Sequence, residues 1–317
     1  MALMSPHTPD VAVLGAGSIG VSFAILFAGK GSQVRVYDPV ATAQQRFEAE
    51  LARRLEQLHA FGRIAQPPRA VADRIRFTTD LPDALSDVGF VQECAPERTD
   101  IKRPLLHQAA SYTAGDIPIV SSTSAIVPTE LGAGLPDDVT QRILVGHPGN
   151  PPYLLPVIEI VPSAVTAPAI VDRVVAVYRS VGLRPVLVRR EVEGFIFNRL
   201  QGALLREAYC LLRDGVATVD DIDEVVRAGL GRRWSVIGPF ETADLNTRGG
   251  LQSHAEKMGP AYQRMGAERG QHDPWTPDLV AGATAQRRQI LDLADWDERV
   301  QWRDEQLMRL QAVWDDA

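Results

Sequence analysis

The chain has 317 residues, 45% of them hydrophobic and 23% charged, which is an ordinary globular composition with room for about two domains. Its formal net charge of −7 at pH 7 argues against nucleic acids and anionic membrane surfaces as partners, because both attract basic proteins. Only two cysteines occur, Cys94 and Cys210, so we expect a reducing, cytoplasmic location, no disulfide framework and no metal site.

The first half of the chain alternates short β-branched runs with helical patterns. Residues 41–61 have helical spacing and end at Gly62, and their apolar face consists of Phe47, Leu51, Leu55 and Leu58. Alternation of strand and helix predicts a doubly wound, Rossmann-type parallel sheet with helices on both faces. The predicted strands are 11–15, 33–39, 74–78, 88–93, 117–122, 142–147, 157–162 and 183–188, and the other predicted helices are one ending at about Lys30, 97–112 and 167–181.

The pattern changes after Glu191. Residues 194–215 form one long amphipathic helix, and the remainder is helical with loops. We therefore predict a Rossmann domain over 1–190 and a smaller, all-helical substrate and dimerisation domain over 191–317. The aromatic residues of the second domain indicate either its own core or a homodimer interface. They are Trp234, Phe240, Trp275 and Trp302.

The sequence GAGSIG at 15–20 directly follows a predicted strand and opens a helix. In a G-x-G-x-x-G motif Gly15 permits a tight turn, Gly17 lets the backbone approach a pyrophosphate, and Gly20 allows close packing of helix on strand. Asp38 ends the second strand about twenty residues later, where a carboxylate binds the ribose hydroxyls of NAD and repels the 2′-phosphate of NADP. The motif together with this acid predicts an NAD site.

His147 stands at the end of a predicted strand, at the sheet edge where open α/β sheets place their ligands. It can accept a hydroxyl proton near neutral pH. Glu159 follows a proline-rich turn on a returning strand and could accept the other imidazole N–H. The alternative is a strand-end histidine bonded to backbone and a solvated glutamate.

Two further polar residues point to the same edge. Ser124 follows the strand 117–122, and Asn198 opens the long helix of the second domain. Both could hydrogen-bond the oxygen of a substrate that changes between alcohol and ketone. The alternatives are a turn or cap residue for Ser124 and a helix-start hydrogen bond for Asn198.

These segments, in this order, resemble the L-3-hydroxyacyl-CoA dehydrogenase superfamily, and within it the lambda-crystallin and L-gulonate 3-dehydrogenase branch. The resemblance implies that His147 is the acid/base, that Glu159 is its partner, and that Ser124 and Asn198 hold the reacting oxygen. The segments that carry the resemblance are QECAPERTDIK (92–102), SSTSAIVP (121–128), HPGNPPYLLPVIEIVP (147–162), GLGRRWSVIGPFET (229–242) and QWRDEQLMRL (301–310).

The same resemblance implies further contacts. Glu97 and Lys102 become expected NAD contacts, with an exposed ion pair on a helix as the alternative. Ser18 and Ile19 are expected to offer backbone N–H groups to the pyrophosphate. Asn150 and Arg233 are expected to bind the substrate, Arg233 through a carboxylate that a free acid has and a thioester lacks. The alternatives to Arg233 are that Arg232 binds the carboxylate or that the two arginines are simply solvated.

The chain departs from its relatives at Gly149, where they usually carry a bulkier apolar residue. We expect this change to widen or loosen the turn next to His147. CoA-type members also use a basic helical hairpin after the second strand. Residues 41–61 mix Arg46, Arg53 and Arg54 with glutamates, which favours a solvated face over a CoA clamp.

The sequence thus predicts an NAD-dependent dehydrogenase that oxidises the 3-hydroxyl of a small, L-gulonate-like L-3-hydroxy acid to the 3-oxo acid. L-carnitine and short 3-hydroxyacyl-CoA esters are alternative substrates. A crystallin-like, non-catalytic NAD-binding protein is the alternative from another class, because fold alone does not fix function.

Overall fold

A computed structural model describes residues 8–271 and 276–300, together with Trp302, Gln306 and Val313. Trp275 and most of the segment 301–310 lie outside the described residues. The chain divides into two compact units, Met1–Leu205 and Arg206–Ala317.

The first unit contains an eight-stranded sheet with the spatial order β3-β2-β1-β4-β5-β6-β7-β8. The first six strands pair in parallel, as expected for a Rossmann fold, whereas β6 pairs antiparallel with β7, and β8 is parallel to β7. The connection from β6 to β7 is too short for a crossover helix, so the chain can only return. The strands are β1 (Val11–Leu14), β2 (Val34–Tyr37), β3 (Ile75–Thr78), β4 (Phe90–Glu93), β5 (Ile119–Ser121), β6 (Ile143–Pro148), β7 (Val157–Pro162) and β8 (Arg184–Leu187).

Helices cover both faces of this sheet and define two buried apolar clusters. One cluster contains residues of α1, α2 and α8, and the other contains residues of α4 to α7. The predicted apolar face of α2 is confirmed, since all four of its named side chains are buried. The helices are α1 (Ser18–Ala28), α2 (Ala43–Ala60), α3 (Pro68–Ala72), α4 (Leu81–Leu85), α5 (Thr99–Tyr112), α6 (Pro128–Leu131), α7 (Asp137–Thr140) and α8 (Pro168–Ser180).

The described residues of the second unit form helices joined by turns and loops, and the chain enters this unit through α9 (Phe197–Arg213). Its centre is Asp244, which is fully buried and paired with Arg287 and Arg288. No described helix has the length and apolar character needed to cross a membrane. The remaining helices are α10 (Val219–Glu224), a π-helical segment (Val225–Leu230), α11 (Gly231–Trp234), α12 (Pro239–Asn246), α13 (Gly250–Glu268), α14 (Pro277–Ile290) and a 3-10 turn (Leu293–Asp295).

Candidate active site

The candidate site lies at the carboxyl edge of the parallel strands. Strands β1, β4, β5 and β6 are neighbours and point the same way, so the loops that follow them meet at one edge. These loops contain the glycine turn, Glu97 and Ser124, and His147 lies near the carboxyl end of β6 itself. The fold therefore gathers most of the predicted site residues of the first unit along one border.

The glycine turn between β1 and α1 requires glycine at two positions for steric reasons. Gly15 has a φ of +117°, and a Cβ on it would lie 2.6 Å from the Cys94 carbonyl oxygen. A Cβ on Gly20 would lie 1.9 Å from the Gly15 oxygen. A Cβ on Gly17 would meet nothing within 4 Å, so open space adjoins the backbone there. A phosphate group can approach this side of the turn.

The same turn leaves the start of α1 open to an anion. Gly17 caps the helix without a side-chain hydrogen bond, and no acidic residue occupies the first helical turn. Ser18 is exposed and Ile19 is partly exposed. The first N–H groups of a helix carry a partial positive charge, so this end suits a pyrophosphate.

Asp38 follows β2 and faces the glycine turn through its carboxylate. One oxygen, Oδ2, accepts a hydrogen bond from the Ala16 N–H at 3.1 Å, and Oδ1 accepts one from the Val40 N–H at 3.0 Å. Each carboxylate oxygen can accept a further hydrogen bond. Arg35, which lies on β2 ahead of Asp38, donates a hydrogen bond to the Ser86 carbonyl. The residues present therefore fit the ribose hydroxyls of NAD.

His147 and Glu159 lie opposite each other in the register of β6 and β7. The His147 Nδ1 atom is 2.8 Å from Glu159 Oε2, and both side chains are buried. Because a carboxylate only accepts hydrogen bonds, Nδ1 donates to Glu159, and in a neutral ring with this tautomer Nε2 is the nitrogen that carries the lone pair. The structure thus brings together the two residues that were predicted as base and partner.

Backbone N–H groups that the sequence did not reveal hold the other oxygen of Glu159. Oε1 accepts hydrogen bonds from the Ile196 N–H at 2.7 Å and the Phe197 N–H at 2.9 Å. Phe195 has a φ of +50°, unusual for a bulky residue, which turns the chain toward Glu159. The rings of Phe195 and Phe197 lie 5.5 and 6.2 Å from the His147 ring between centroids. In the sequence, Gly194 was the residue that could have indicated this turn.

Ser124 and Asn198 are in contact through the main chain of Ser124. The Asn198 side-chain amide donates to the Ser124 carbonyl oxygen at 3.0 Å. The Ser124 N–H donates to Glu97 Oε1 at 2.8 Å, and the same oxygen accepts from the Thr123 hydroxyl at 2.5 Å. Glu97 therefore holds the loop that carries Ser124, a role that the sequence did not indicate.

Lys102 is buried, with 1% of its surface exposed, so the alternative of an exposed ion pair on a helix does not apply to it. Its ammonium group donates to both oxygens of Glu93, at 2.8 and 3.0 Å, and to the Ala95 carbonyl at 3.0 Å. Glu97 Oε2 lies 3.6 Å away. Because an ammonium group has only three donors, a direct NAD contact from Lys102 requires a rearrangement of this pairing.

Glu93 is a further residue that sequence reasoning missed. It ends β4 and is fully buried, and it accepts hydrogen bonds from the Ser121 hydroxyl and the Ala95 N–H. Burial raises the pKa of Glu93, while Lys102 is the largest influence that lowers it. A carboxylate at the end of an apolar strand was the signal that could have identified it.

The expectation that Gly149 loosens the turn is wrong. A Cβ on Gly149 would lie 3.0 Å from Leu155 Cβ and 3.1 Å from Val157 Cγ1, and its N–H donates to the Val157 carbonyl at 2.9 Å. The space is filled by the returning chain, so the turn is closely packed. Asn150, the next residue, is exposed and precedes a cis peptide bond to Pro151.

Arg233 belongs to the second unit, where it lies on α11 and is partly buried. Its Nε atom is buried and has no hydrogen-bond acceptor among the described residues. The neighbouring Arg232 has an interaction of its own. Both arginines lie on α11, and the Nε atom of Arg233 is a donor without an acceptor in the described part of the chain.

A doubly wound sheet, a G-x-G-x-x-G turn and an acid after the second strand define a Rossmann-type, NAD-binding dehydrogenase. The 3-hydroxyacyl-CoA dehydrogenase NAD binding domain matches residues 10–192, and the 3-hydroxyacyl-CoA dehydrogenase C-terminal domain matches residues 194–295. The chain belongs to the 3-hydroxyacyl-CoA dehydrogenase family and is an NAD-dependent oxidoreductase.

Individual proteins support this assignment. Lambda-crystallin of Oryctolagus cuniculus is 34% identical over 317 residues, which cover 97% of this chain and 97% of that protein. L-carnitine dehydrogenase of Pseudomonas aeruginosa is 39% identical over 266 residues, covering 84% of this chain and 78% of that protein. The structure of 5-formyl-3-hydroxy-2-methylpyridine 4-carboxylic acid 5-dehydrogenase, an NAD+-dependent dismutase, has a TM-score of 0.71 and 30% identity over 90% of this chain and 96% of that chain. The predicted resemblance to lambda-crystallin is confirmed.

Proposed function

We propose that this enzyme oxidises the 3-hydroxyl group of a small L-3-hydroxy acid, of which L-gulonate is the leading example, to the 3-oxo acid. The observation that carries the proposal is the pair of His147 and Glu159, with Nδ1 and Oε2 at 2.8 Å. NAD, when bound at the glycine turn, supplies the acceptor for the hydride that leaves C3 of the substrate.

The chain's own residues handle the proton. Nε2 of His147 accepts the proton of the substrate hydroxyl, and the ring becomes an imidazolium ion. Glu159 stabilises that ion and keeps the ring oriented, because its Oε1 is fixed by two backbone N–H groups. The Ser124 hydroxyl donates to the reacting oxygen, and Asn198 holds the loop of Ser124 in place.

Charges on α2 favour a free acid over a CoA ester. Glu50 is bonded to Arg53 Nη2 at 2.8 Å and to Arg54 Nε at 2.6 Å. Arg53 and Arg54 therefore share one carboxylate, and the glutamates interspersed along α2 give it the mixed charge of a solvated face. Arg233 is the proposed cation for the substrate carboxylate, as the family resemblance implies.

A homodimer in the cytoplasm is the proposed working form. Helix α9 exposes apolar side chains over much of its length, including Leu200 at 60%, Leu205 at 51% and Tyr209 at 66%. Such an apolar patch is typical of a protein–protein interface. The proposed compartment rests on the low cysteine content, which is typical of a reducing environment.

The test is a substrate comparison that follows NADH formation by absorbance. L-Gulonate, L-carnitine, L-3-hydroxybutyrate and L-3-hydroxybutyryl-CoA are each offered with NAD and with NADP. We expect turnover of a free acid with NAD, and loss of that turnover in His147→Gln with NAD binding retained. L-Carnitine is the second candidate, favoured by the 39% identity to a carnitine dehydrogenase.

Each other result has a definite meaning. If only the CoA ester is turned over, the assignment of His147 as the base stands, but the proposed roles of α2 and Arg233 are rejected. Turnover of no substrate, with NAD bound normally, favours a crystallin-like, non-catalytic protein.

A further inference from the structure

Arg54 of α2 contacts the start of α1 beside the glycine turn. Its Nη2 atom donates to the Ser18 hydroxyl at 2.7 Å, and Nη1 donates to the Ser18 carbonyl at 3.1 Å and to the Ser22 hydroxyl at 2.8 Å. The side chain is 11% exposed. A long, flexible side chain is thus fixed against the residue that opens the helix.

Its hydrogen-bonding capacity is not exhausted by these contacts. A guanidinium group has five N–H donors. Nε donates to Glu50 at 2.6 Å, Nη1 has two acceptors and Nη2 has one. One N–H of Nη2 therefore has no acceptor among the described residues, and it belongs to the nitrogen that holds the Ser18 hydroxyl.

Charged groups of both signs lie near the turn. Glu50 is paired with both Arg53 and Arg54, so this cluster contains two cations and one anion. Hydrogen bonds from Arg53 and Arg54 hold the pKa of Glu50 at about 2, which keeps it ionised at neutral pH. Asp38, the other acid at the turn, accepts from the Ala16 N–H instead. Arg54 is therefore the cation in contact with the start of α1, and Asp38 is the acid that faces the turn.

We propose that Arg54 is a cofactor-positioning residue for the pyrophosphate of NAD. It fixes Ser18 so that the N–H groups at the start of α1 face the phosphates, and it adds positive charge and a free donor there. This inference rests on the NAD site of the proposed function and is independent of the choice of substrate.

The experiment measures binding of ADP-ribose and of adenosine to the full chain by calorimetry or by competition with NAD. The test variant is Arg54→Gln. The matched control is Arg53→Gln, because Arg53 bonds the same Glu50 but is 61% exposed and donates its hydrogen bonds to Glu50 and not to Ser18. Adenosine reports the Asp38 end of the site, and only ADP-ribose carries the pyrophosphate.

We expect Arg54→Gln to weaken ADP-ribose binding about 10-fold, since a hydrogen bond to a charged group is lost. Adenosine binding is expected to change little in this variant, and Arg53→Gln is expected to leave both ligands unchanged. The double variant Ser18→Ala with Arg54→Gln is expected to lose less ADP-ribose binding free energy than the two single variants lose together, because both substitutions remove the same contact.

The inference is overturned if Arg54→Gln binds ADP-ribose as the wild type does. It is also overturned if both ligands weaken equally, because that result indicates general damage to the fold. Should Arg54→Gln not fold, Arg54→Lys is measured in the same way, since an ammonium group cannot bridge Ser18 and Ser22 as a guanidinium does. Failure of wild-type chain to bind ADP-ribose at all instead contradicts the NAD site itself.

Discussion

At the scale of single residues, Glu159 is held more firmly than a surface acid. Its carboxylate has three hydrogen bonds, from the Ile196 N–H, the Phe197 N–H and the His147 ring. The two backbone donors fix one oxygen, so the other oxygen keeps a constant position beside Nδ1. The ring of His147 is therefore pre-oriented before any substrate arrives.

Replacement of Glu159 by Gln is expected to lower kcat by about 100-fold or more, because the imidazolium ion loses its counter-charge and its tautomer is no longer fixed. NAD affinity is expected to stay near the wild-type value, since Glu159 is on β7 and not at the glycine turn. Steady-state kinetics and NAD titration measure the two effects. Glu193→Gln, at an exposed position of the adjacent turn, is the control. Retention of full turnover in Glu159→Gln contradicts the assigned role.

Asp38 is the residue that we propose selects NAD over NADP, through its negative charge. Asp38→Asn is expected to lower the preference for NAD over NADP, measured as the ratio of kcat/KM values, by about 10-fold or more. The neutral amide no longer repels a 2′-phosphate and binds the ribose hydroxyls less strongly. Asp80→Asn, an exposed acid after β3, is the control. An unchanged ratio in Asp38→Asn shows that another residue selects the cofactor.

At the scale of elements, an ion pair joins β4 to α5. Glu93 ends the strand and Lys102 lies in the first half of the helix, and neither side chain is more than 1% exposed. Removal of one partner from a buried pair leaves an uncompensated charge, which costs far more than the loss of a surface pair. The pair also lies next to Glu97 and so connects the packing of α5 to the Ser124 loop.

Lys102→Met is therefore expected to lower the free energy of unfolding by about 3–5 kcal/mol in the absence of any ligand. Urea denaturation measures the change. Lys30→Met is the control, because Lys30 is exposed.

The double variant Glu93→Gln with Lys102→Met separates charge from packing. It is expected to be more stable than Lys102→Met alone, because no unpaired charge stays buried. Wild-type stability of Lys102→Met, together with weaker NAD binding, instead restores the predicted role of Lys102 as a direct NAD contact.

At the scale of the whole molecule, the apolar surface of α9 determines the assembly that we propose. Tyr209→Glu is expected to shift the chain from dimer to monomer, because a charge in an apolar interface is desolvated without a partner. Sedimentation velocity measures the change. Val165→Glu places the same charge at a side chain that is 57% exposed in the first unit and is the control. A wild-type chain that sediments as a monomer at micromolar concentration rejects the dimer.

The sequence alone determined the architecture and the kind of site. Periodicity is a local property, set by neighbours a few residues apart, so the strands and the buried face of α2 could be predicted to within a few residues. The glycine turn and Asp38 were equally readable, because the sterics of Gly15 and Gly20 depend on a short, recurrent strand–turn–helix unit. The positions of the four candidate catalytic residues at strand and helix ends, together with the family resemblance, identified them from the sequence. They are His147, Glu159, Ser124 and Asn198.

Only the tertiary structure decided how distant residues pair. The register of β6 and β7 places Glu159 opposite His147, and packing of α5 on β4 buries Lys102 against Glu93. The close packing of Gly149 and the reach of Arg54 to Ser18, 36 positions away, are likewise consequences of the fold. Such contacts join residues that are remote in the chain, and their energies depend on burial and exact donor positions. Neither quantity is encoded in local spacing, so both emerge only when the helices and strands have packed together.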